Sequence, residues 1–362
     1  MKAVILVGGE ATRLRPLTYH TPKAMIPICN TPLLEHIIYH LKDYEVTDII
    51  LAQRRHSQTI RKHFKDGKHM GVRLTYITER FPLGTAGAVK NCKVYLDEAF
   101  LVLNGDILTD LNIADLVDFH KKMKAMITLT LTKVENPTSY GLIKFDSQKR
   151  VISFIEKPQS TEVTNNMINA GSYILEPDIL EYIPDGTSYS FERQLFPTLL
   201  KKGVPIYAYS SPAYWIDVGT PENYMKAHHD LIEYEGKKYA IEANCFTGYG
   251  NKIHPSIQAY GPVIIGNNCR IGPRVKLIGP VTIGSQCNIQ QDTEIEDSIV
   301  WDSCQIEPRV KIKNSIISQG CHLKTECVIT NRTLLGDHVT VANKMILNGE
   351  LVLPANLDNP TP

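Results

Sequence analysis

Apolar residues follow two different rhythms along this chain. Up to about Glu235, short apolar runs alternate with helical patterns. Residues 2–7, 47–52, 72–78, 99–103 and 126–132 are rich in Val, Ile, Leu and Thr and predict strands. Between the first two, Leu34, Ile37, Ile38 and Leu41 keep the i, i+3, i+4, i+7 spacing of a buried helix face, with Pro32 where a first helical turn accepts it. Thr220-Pro221-Glu222 begins another helix, threonine as cap and proline at the first position. Strands alternating with helices predict an α/β fold, its mostly parallel sheet covered on both faces. Ligands of such sheets gather at the carboxyl ends of the strands.

From about Cys245 the helical signal gives way to a period of six. Ile265, Ile271, Leu277, Ile283, Ile289 and Ile295 are evenly spaced. A one-residue deletion resets the phase to Val300, Ile306 and Ile312, and a second reset leads to Ile317, Leu323, Ile329, Leu335, Val341, Leu347 and Leu353. Two residues before these come smaller ones, among them Val263, Cys269, Val275, Val281, Cys287, Thr293, Cys304, Val310, Cys321 and Cys327. Residues two apart on a strand face the same way, so each unit sends one large and one smaller side chain inward. Three faces per coil would make roughly five coils of a solenoid.

Composition narrows the function. Lys and Arg number 39 against 38 Asp and Glu, a net charge of +1, so no large basic excess draws the chain to nucleic acid or an anionic membrane. No apolar run approaches the ~20 residues that span a bilayer. The run before Gly8-Gly9-Glu10 lacks a cleavage-site pattern, so a cytoplasmic protein is expected. The eight cysteines form no Cys-x-x-Cys pair, and the six-residue period claims five of them as small core residues.

The strongest chemical signal is the first strand running into Leu6-Val7-Gly8-Gly9-Glu10-Ala11-Thr12-Arg13-Leu14-Arg15. Glycines after a buried strand let backbone N–H groups approach an anion, and Arg13, Arg15 and Lys23 supply positive charge. The loop is neither a Walker loop nor the dinucleotide Gly-x-Gly-x-x-Gly. Asp106 follows the run Phe100-Leu101-Val102-Leu103, at a strand end where a carboxylate can hold Mg²⁺ against phosphate oxygens. Further segments come in order: Pro82-Leu83-Gly84-Thr85-Ala86-Gly87, Val102-Leu103-Asn104-Gly105-Asp106, Phe154-Ile155-Glu156-Lys157-Pro158, Asn169-Ala170-Gly171 and Tyr214-Trp215-Ile216-Asp217-Val218-Gly219.

With Pro22-Lys23-Ala24-Met25-Ile26-Pro27, these segments resemble the sugar-nucleotide pyrophosphorylases, nucleotidyltransferases that join a nucleoside triphosphate to a sugar 1-phosphate. The repeat resembles the hexapeptide, left-handed parallel β-helix, its corners marked by Ile265-Gly266, Ile271-Gly272 and Ile283-Gly284. Together the two resemblances cover nearly the whole chain. They imply a Rossmann-like nucleotidyltransferase domain over 1–235, a linker over 236–244 and a β-helix over 245–355. Ala11 stands where the family has glycine.

The resemblance also implies roles. Leu6, Gly8, Gly9, Thr12, Arg13, Gly84 and Thr85 would meet the nucleotide, Gly84 and Thr85 beside the base. Arg13 and Lys23 would hold the phosphates, and Lys157 the phosphate of the sugar, with Gly141, Glu156 and Asn169 on the sugar side. Asp106 and Asp217 would hold Mg²⁺. Arg13, Lys23, Asp106 and Lys157 are therefore the expected catalytic set. Asp110 reads as a cap, and His20, His36 and His40 as surface or packing residues.

The pattern is closest to the mannose-1-phosphate guanylyltransferases, with Tyr189-Ser190-Phe191-Glu192 pointing the same way. Adenylyl- and thymidylyltransferases of glucose 1-phosphate share most of these residues, and a non-catalytic regulatory paralogue is the alternative outside enzymes. Hexapeptide solenoids also occur in acyltransferases, for which His322 and His338 would be the candidate bases; both read better as solvated corners. Small-molecule substrates and a homo-oligomer built on the β-helix are the expected partners.

Overall fold

The computed structural model describes residues 1–54, 58–163, 165–238 and 245–354. Two compact units emerge: one comprises Met1–Gly9 with Leu34–Asp217, the other Glu10–Leu33 with the chain from Val218 onward. The segment between the glycine loop and the first helix thus belongs with the solenoid. Of the expected linker 236–244, residues through Lys238 are helical; 239–244, like residue 355, lie outside the described residues.

In the first unit the predicted strands form within a residue or two of their expected limits. They are β1 (Ala3–Leu6), β2 (Asp48–Gln53), β3 (Arg73–Thr78) and β4 (Phe100–Asn104), a parallel nucleus ordered β4-β1-β2-β3. After β5 (Ile107–Thr109) come β6 (Ile127–Lys133), β7 (Gly141–Phe145), β8 (Val151–Glu156) and β9 (Met167–Leu175). Strand β9 pairs antiparallel with β4, β6 and β7, and β10 (Ile206–Ser210) joins β6 in parallel. The short β11 (Trp215–Asp217) pairs with β5. Parallel strands serve the first part of the sheet, and the antiparallel extension builds the rest.

Helices cover this sheet: α1 (Leu33–Asp43), α2 (Gln58–Phe64), α3 (Gly84–Lys90), α4 (Ile113–Met123) and α5 (Phe196–Lys201). The four apolar positions that predicted α1 are all buried. Strand residues Val4, Ile50 and Val102 share one core with Tyr173, Phe191 and Phe196. A core this continuous removes apolar surface from water at ~25 cal/mol per Å² and fixes the strand ends that carry the site.

The second unit contains α6 (Pro221–Lys238), whose first turn is capped as predicted, the Asn223 N–H donating to Thr220 Oγ1 at 3.3 Å. Its solenoid is a parallel β-helix. Strands 263–265, 270–271 and 276–278 lie under 281–283, 288–289 and 294–296, and the stack repeats through the domain. Successive coils are offset by 18 residues, falling to 17 where the predicted deletions occur. One face carries six strands, one turn more than the sequence period indicates. The extra turn is the first, where strands 245–247, 252–253 and 258–260 pair beneath the next coil. Thr247 and Ala259 occupy its repeat positions and conceal the period.

Of the sixteen repeat positions, Leu353 departs from expectation: Val352 pairs with Leu335 and packs against the core, so a further one-residue shortening leaves Leu353 out of phase and 50 % exposed. Cys269, Cys287, Cys304, Cys321 and Cys327 are all buried in the solenoid core, as the period predicts. The corner glycines serve close approach. A Cβ on Gly266 would lie 2.6 Å from the backbone N of Ser285, and one on Gly284 2.5 Å from that of Asp302. The left-handed corner residues are instead Asn268, Arg274 and Gln286.

Ala11 adopts φ 48° and ψ 41°, the left-handed conformation its glycine counterpart would enter freely. Its carbonyl accepts from the Leu14 N–H at 3.0 Å and the Thr18 hydroxyl at 2.9 Å, which holds the turn. Ala11→Gly should therefore leave the unfolding midpoint unchanged or raise it. Relief of about 1 kcal/mol of left-handed strain is offset by the roughly 0.4–1 kcal/mol that glycine adds to the unfolded chain's entropy. Denaturant unfolding measures this; a loss above about 1 kcal/mol would contradict the strain at this turn.

Candidate active site

The carboxyl ends of the parallel strands collect the nucleotide-side candidates of the first unit. Leu6 ends β1 and lies beside Asn104 of β4, and the Gly105 N–H donates to the Leu6 carbonyl at 3.0 Å. Gly8 and Gly9 follow β1. Gly84 and Thr85 open α3, beyond the end of β3. Gly84 has φ 69°, and a Cβ there would stand 2.7 Å from the Tyr189 carbonyl oxygen. Only glycine fits, because the Ala86 and Gly87 N–H groups both donate to that same carbonyl.

Asp106 and Asp217 reach this end by separate routes. The β5–β11 ladder sets Asp217 opposite Ile107, one residue beyond Asp106. Both side chains are half-buried. Asp110 ties the far end of the same ladder, accepting from the Tyr214 N–H at 2.7 Å. It is therefore not a helix cap; that role in α4 falls to Asn112, which accepts from the Asp115 N–H. No cluster of three or more His, Cys, Asp or Glu among the described residues could hold a metal. Two neighbouring hard oxygen donors fit Mg²⁺, which usually takes one or two carboxylates and completes its shell with water and substrate phosphate.

On the sugar side, Glu156 pairs with Gly141 across the β7–β8 ladder. The next residue, Lys157, is exposed with φ 51°, its N–H donating to the Tyr140 carbonyl at 3.0 Å. Glu156, Lys157, Glu192 and Arg193 line an open cleft of about 460 Å³, within the range of small-molecule sites. Burial, with the nearby Glu192 charge, raises the Glu156 pKa, while Lys157 and Arg193 pull it back.

A carboxyl whose pKa is raised on folding favours the folded state at acid pH, and that advantage fades as pH rises through the folded value. Glu156→Gln should therefore remove a loss of stability that the wild type suffers on going from about pH 4 upward. Unfolding midpoints of the two proteins across pH 4–8 report it; parallel curves would contradict the raised pKa.

A chain of hydrogen bonds joins the two sides. Asn169 Nδ2 donates to the Tyr173 hydroxyl at 2.7 Å, which donates to Glu192 Oε1 at 3.2 Å. The other carboxylate oxygen accepts from Thr85 Oγ1 at 3.1 Å and Ser190 Oγ at 2.7 Å. The Thr85 hydroxyl accepts in turn from the Phe191 N–H at 2.9 Å. Glu192 stands on a π-turn, Phe191–Leu195, which Ser190 caps by accepting from the Glu192 and Arg193 N–H groups. Such turns recur at functional sites because they re-aim a side chain within a helix.

Thr12, Arg13 and Lys23 belong to the second unit. Thr12 and Arg13 sit exposed in a 3-10 turn, Thr12–Leu14. Lys23 begins another, Lys23–Met25, and is only 9 % exposed, uncommon for a lysine outside a paired or functional setting.

A family model described as Nucleotidyl transferase matches residues 2–234, and a second, described as GMPPB C-terminal domain, matches 259–357. The chain belongs to the nucleotidyl transferase family. Among its relatives, a mannose-1-phosphate guanylyltransferase of Mycobacterium tuberculosis is 38 % identical over 232 residues, 64 % of each chain. The mannose-1-phosphate guanyltransferase beta-A of Xenopus laevis is 36 % identical over 98 % of this chain and 96 % of its own. In structure, HddC from Yersinia pseudotuberculosis complexed with GMP-PN superposes with a TM-score of 0.56 at 30 % identity, covering 64 % of this chain and 99 % of that one.

Within this nucleotidyl transferase, Glu192, Tyr173 and Arg193 are the residues that sequence reasoning passed over beside the candidate positions, Glu192 and Arg193 in the cleft lining and Tyr173 in the hydrogen-bond chain. The Tyr-Ser-Phe-Glu run was visible, but nothing in it reveals the π-turn that aims Glu192. The histidines do other work. His40 Nε2 donates to the Leu111 carbonyl at 2.9 Å, and burial lowers its pKa. His322 lies on a strand, not a corner, 2.9 Å from Glu307 Oε1; His338 is exposed at a left-handed corner. No helix among the described residues is long and apolar enough to cross a membrane.

Proposed function

We propose that this nucleotidyltransferase moves GMP from GTP to mannose 1-phosphate, releasing pyrophosphate. The observation carrying this reading is the ladder that sets Asp217 one residue beyond Asp106, at the end of the sheet where Gly84 and Thr85 also lie. A phosphate oxygen of the sugar 1-phosphate, already ionised, attacks the α-phosphorus in line, and the bond to pyrophosphate breaks. No general base is needed. Arg13 and Lys23 neutralise the departing pyrophosphate and the charge on the α-phosphate. Lys157 holds the attacking phosphate, with Glu156 and Asn169 on the sugar hydroxyls and Gly141 leaving room beside them. Leu6, Gly8, Gly9 and Thr12 frame the nucleotide, and Gly84 with Thr85 presents groups to the base. Asp106 and Asp217 would hold Mg²⁺, whose chemistry here is neutralisation of charge on bridging phosphate oxygens.

Guanine and mannose are favoured because the Xenopus relative bearing that name matches along almost the entire chain. We further place the enzyme in the cytoplasm, where the buried solenoid thiols stay reduced, as an oligomer assembled through the β-helix, whose first turn exposes Tyr249 and Tyr260. Pyrophosphate release with Mg²⁺, four nucleoside triphosphates crossed with mannose, glucose and N-acetylglucosamine 1-phosphates, tests the assignment. GTP with mannose 1-phosphate should exceed every other pair. Another dominant pair would overturn the specificity, and silence across the grid from folded, nucleotide-binding protein would indicate a regulatory subunit.

A further inference from the structure

The segment carrying Arg13 and Lys23 packs with the solenoid through a strained hairpin. Pro27–Ile28 pairs antiparallel with Thr31–Pro32, so Pro32 lies in this small ladder and α1 begins after it. The two residues between, Cys29 and Asn30, have φ 49° and 66°. A turn with both central residues left-handed ordinarily asks for Asn-Gly, and a cysteine in that conformation persists only where its surroundings over-determine it.

Those surroundings come from α6 and one edge of the β-helix. Asn30 Nδ2 donates to the Ile283 carbonyl at 2.8 Å. His228, 1 % exposed, has Nε2 3.0 Å from the Pro27 carbonyl, while Nδ1 lies 3.3 Å from the Cys29 N and 3.2 Å from Thr282 Oγ1. A neutral ring protonated on Nε2 satisfies all three: it donates to Pro27 and accepts from Cys29 and the threonine hydroxyl. The Pro27 carbonyl also accepts from the buried Tyr224 hydroxyl, which accepts from Trp301 Nε1 at 2.9 Å. Trp301 replaces the corner glycine one coil after Gly284, so the break in the glycine pattern coincides with a contact to α6. Further along the same edge, His20 Nδ1 lies 3.2 Å from Asp337 Oδ2, a buried carboxylate also bonded by Ser318.

We propose that the β-helix is a positioning element of nucleotidyl transfer. Through Thr282, His228 and Asn30 it locks the Cys29–Asn30 hairpin, and the hairpin fixes the turn on which Lys23 stands. This rests on the role given to Lys23 above. His228, Asn30 and Thr282 are positioning residues that touch no substrate.

Asn30→Gly keeps the left-handed backbone and deletes only the bond to Ile283. Thr282→Val deletes the hydroxyl at constant shape, and Thr282→Ser retains it. In the full-length protein, N30G and T282V should each lower kcat roughly three- to tenfold, the effect of one lost hydrogen bond. The KM for sugar 1-phosphate should stay unchanged, and T282S should match wild type. Amide hydrogen exchange over residues 22–33, measured without substrate, should accelerate in N30G and T282V but not in T282S. Unaltered exchange in both variants would overturn the lock. Accelerated exchange with wild-type kcat, or an equal loss in T282V and T282S, would overturn positioning. If the wild type itself transfers no nucleotide, the functional reading fails, while the exchange data still decide the lock.

Discussion

Asp106→Asn should lower kcat for nucleotidyl transfer by roughly 10²–10³-fold without unfolding the chain, the scale seen when one preorganised electrostatic group is removed. Asparagine keeps the shape of a half-buried side chain that follows Gly105 outside the apolar core. What it removes is one of two carboxylates whose backbones the β5–β11 ladder brings within one register position of each other. Asp217→Asn should show a similar loss, and the double variant little more than either alone, because groups that act as a unit are not additive. Steady-state rates across a Mg²⁺ titration are the measurement, with the apparent Mg²⁺ requirement rising in each variant. Turnover within threefold of wild type in both would refute the pair.

Gly84→Ala should cost about 2–4 kcal/mol of stability and abolish nucleotide binding, since it combines left-handed strain with an overpacked contact. The added methyl meets the Tyr189 carbonyl at 2.7 Å, an oxygen that already accepts the Ala86 and Gly87 N–H groups. Neither the helix start nor the 189–192 segment can yield without breaking those bonds. Thermal unfolding and nucleotide titration of the variant follow both effects. Thr85→Val, which forfeits the hydroxyl's bonds with Glu192 and the Phe191 N–H but adds no backbone strain, provides the milder comparison. An alanine variant as stable as wild type would mean the turn at Gly84 is free to relax.

Much of this architecture is legible in the sequence. The strands of the parallel nucleus declare themselves because buried parallel strands must be continuously apolar. The solenoid is legible because every coil repeats the same inward positions. What escapes is whatever depends on tertiary neighbours. The opening coil is hidden by Thr247 and Ala259, and the π-turn under Glu192 has no periodic signature. Trp301 reads as a flaw in the repeat until Tyr224 is beside it. At the candidate site, the family resemblance points to Asp106 and Asp217, whereas only the fold reveals that Asn169, Tyr173, Glu192 and Thr85 form one connected chain.

The contact between His20 and Asp337 joins residues 317 positions apart. At a translation rate of roughly 5–20 residues per second, the segment bearing Arg13 and Lys23 waits between about a quarter of a minute and one minute before its last anchor is made. The first part of the site to be synthesised is thus among the last to be completed. A nascent chain halted before the final coils would already own its first-unit sheet and the anchors on the Cys29–Asn30 hairpin, yet the His20 end of the same segment would still lack its contact with Asp337.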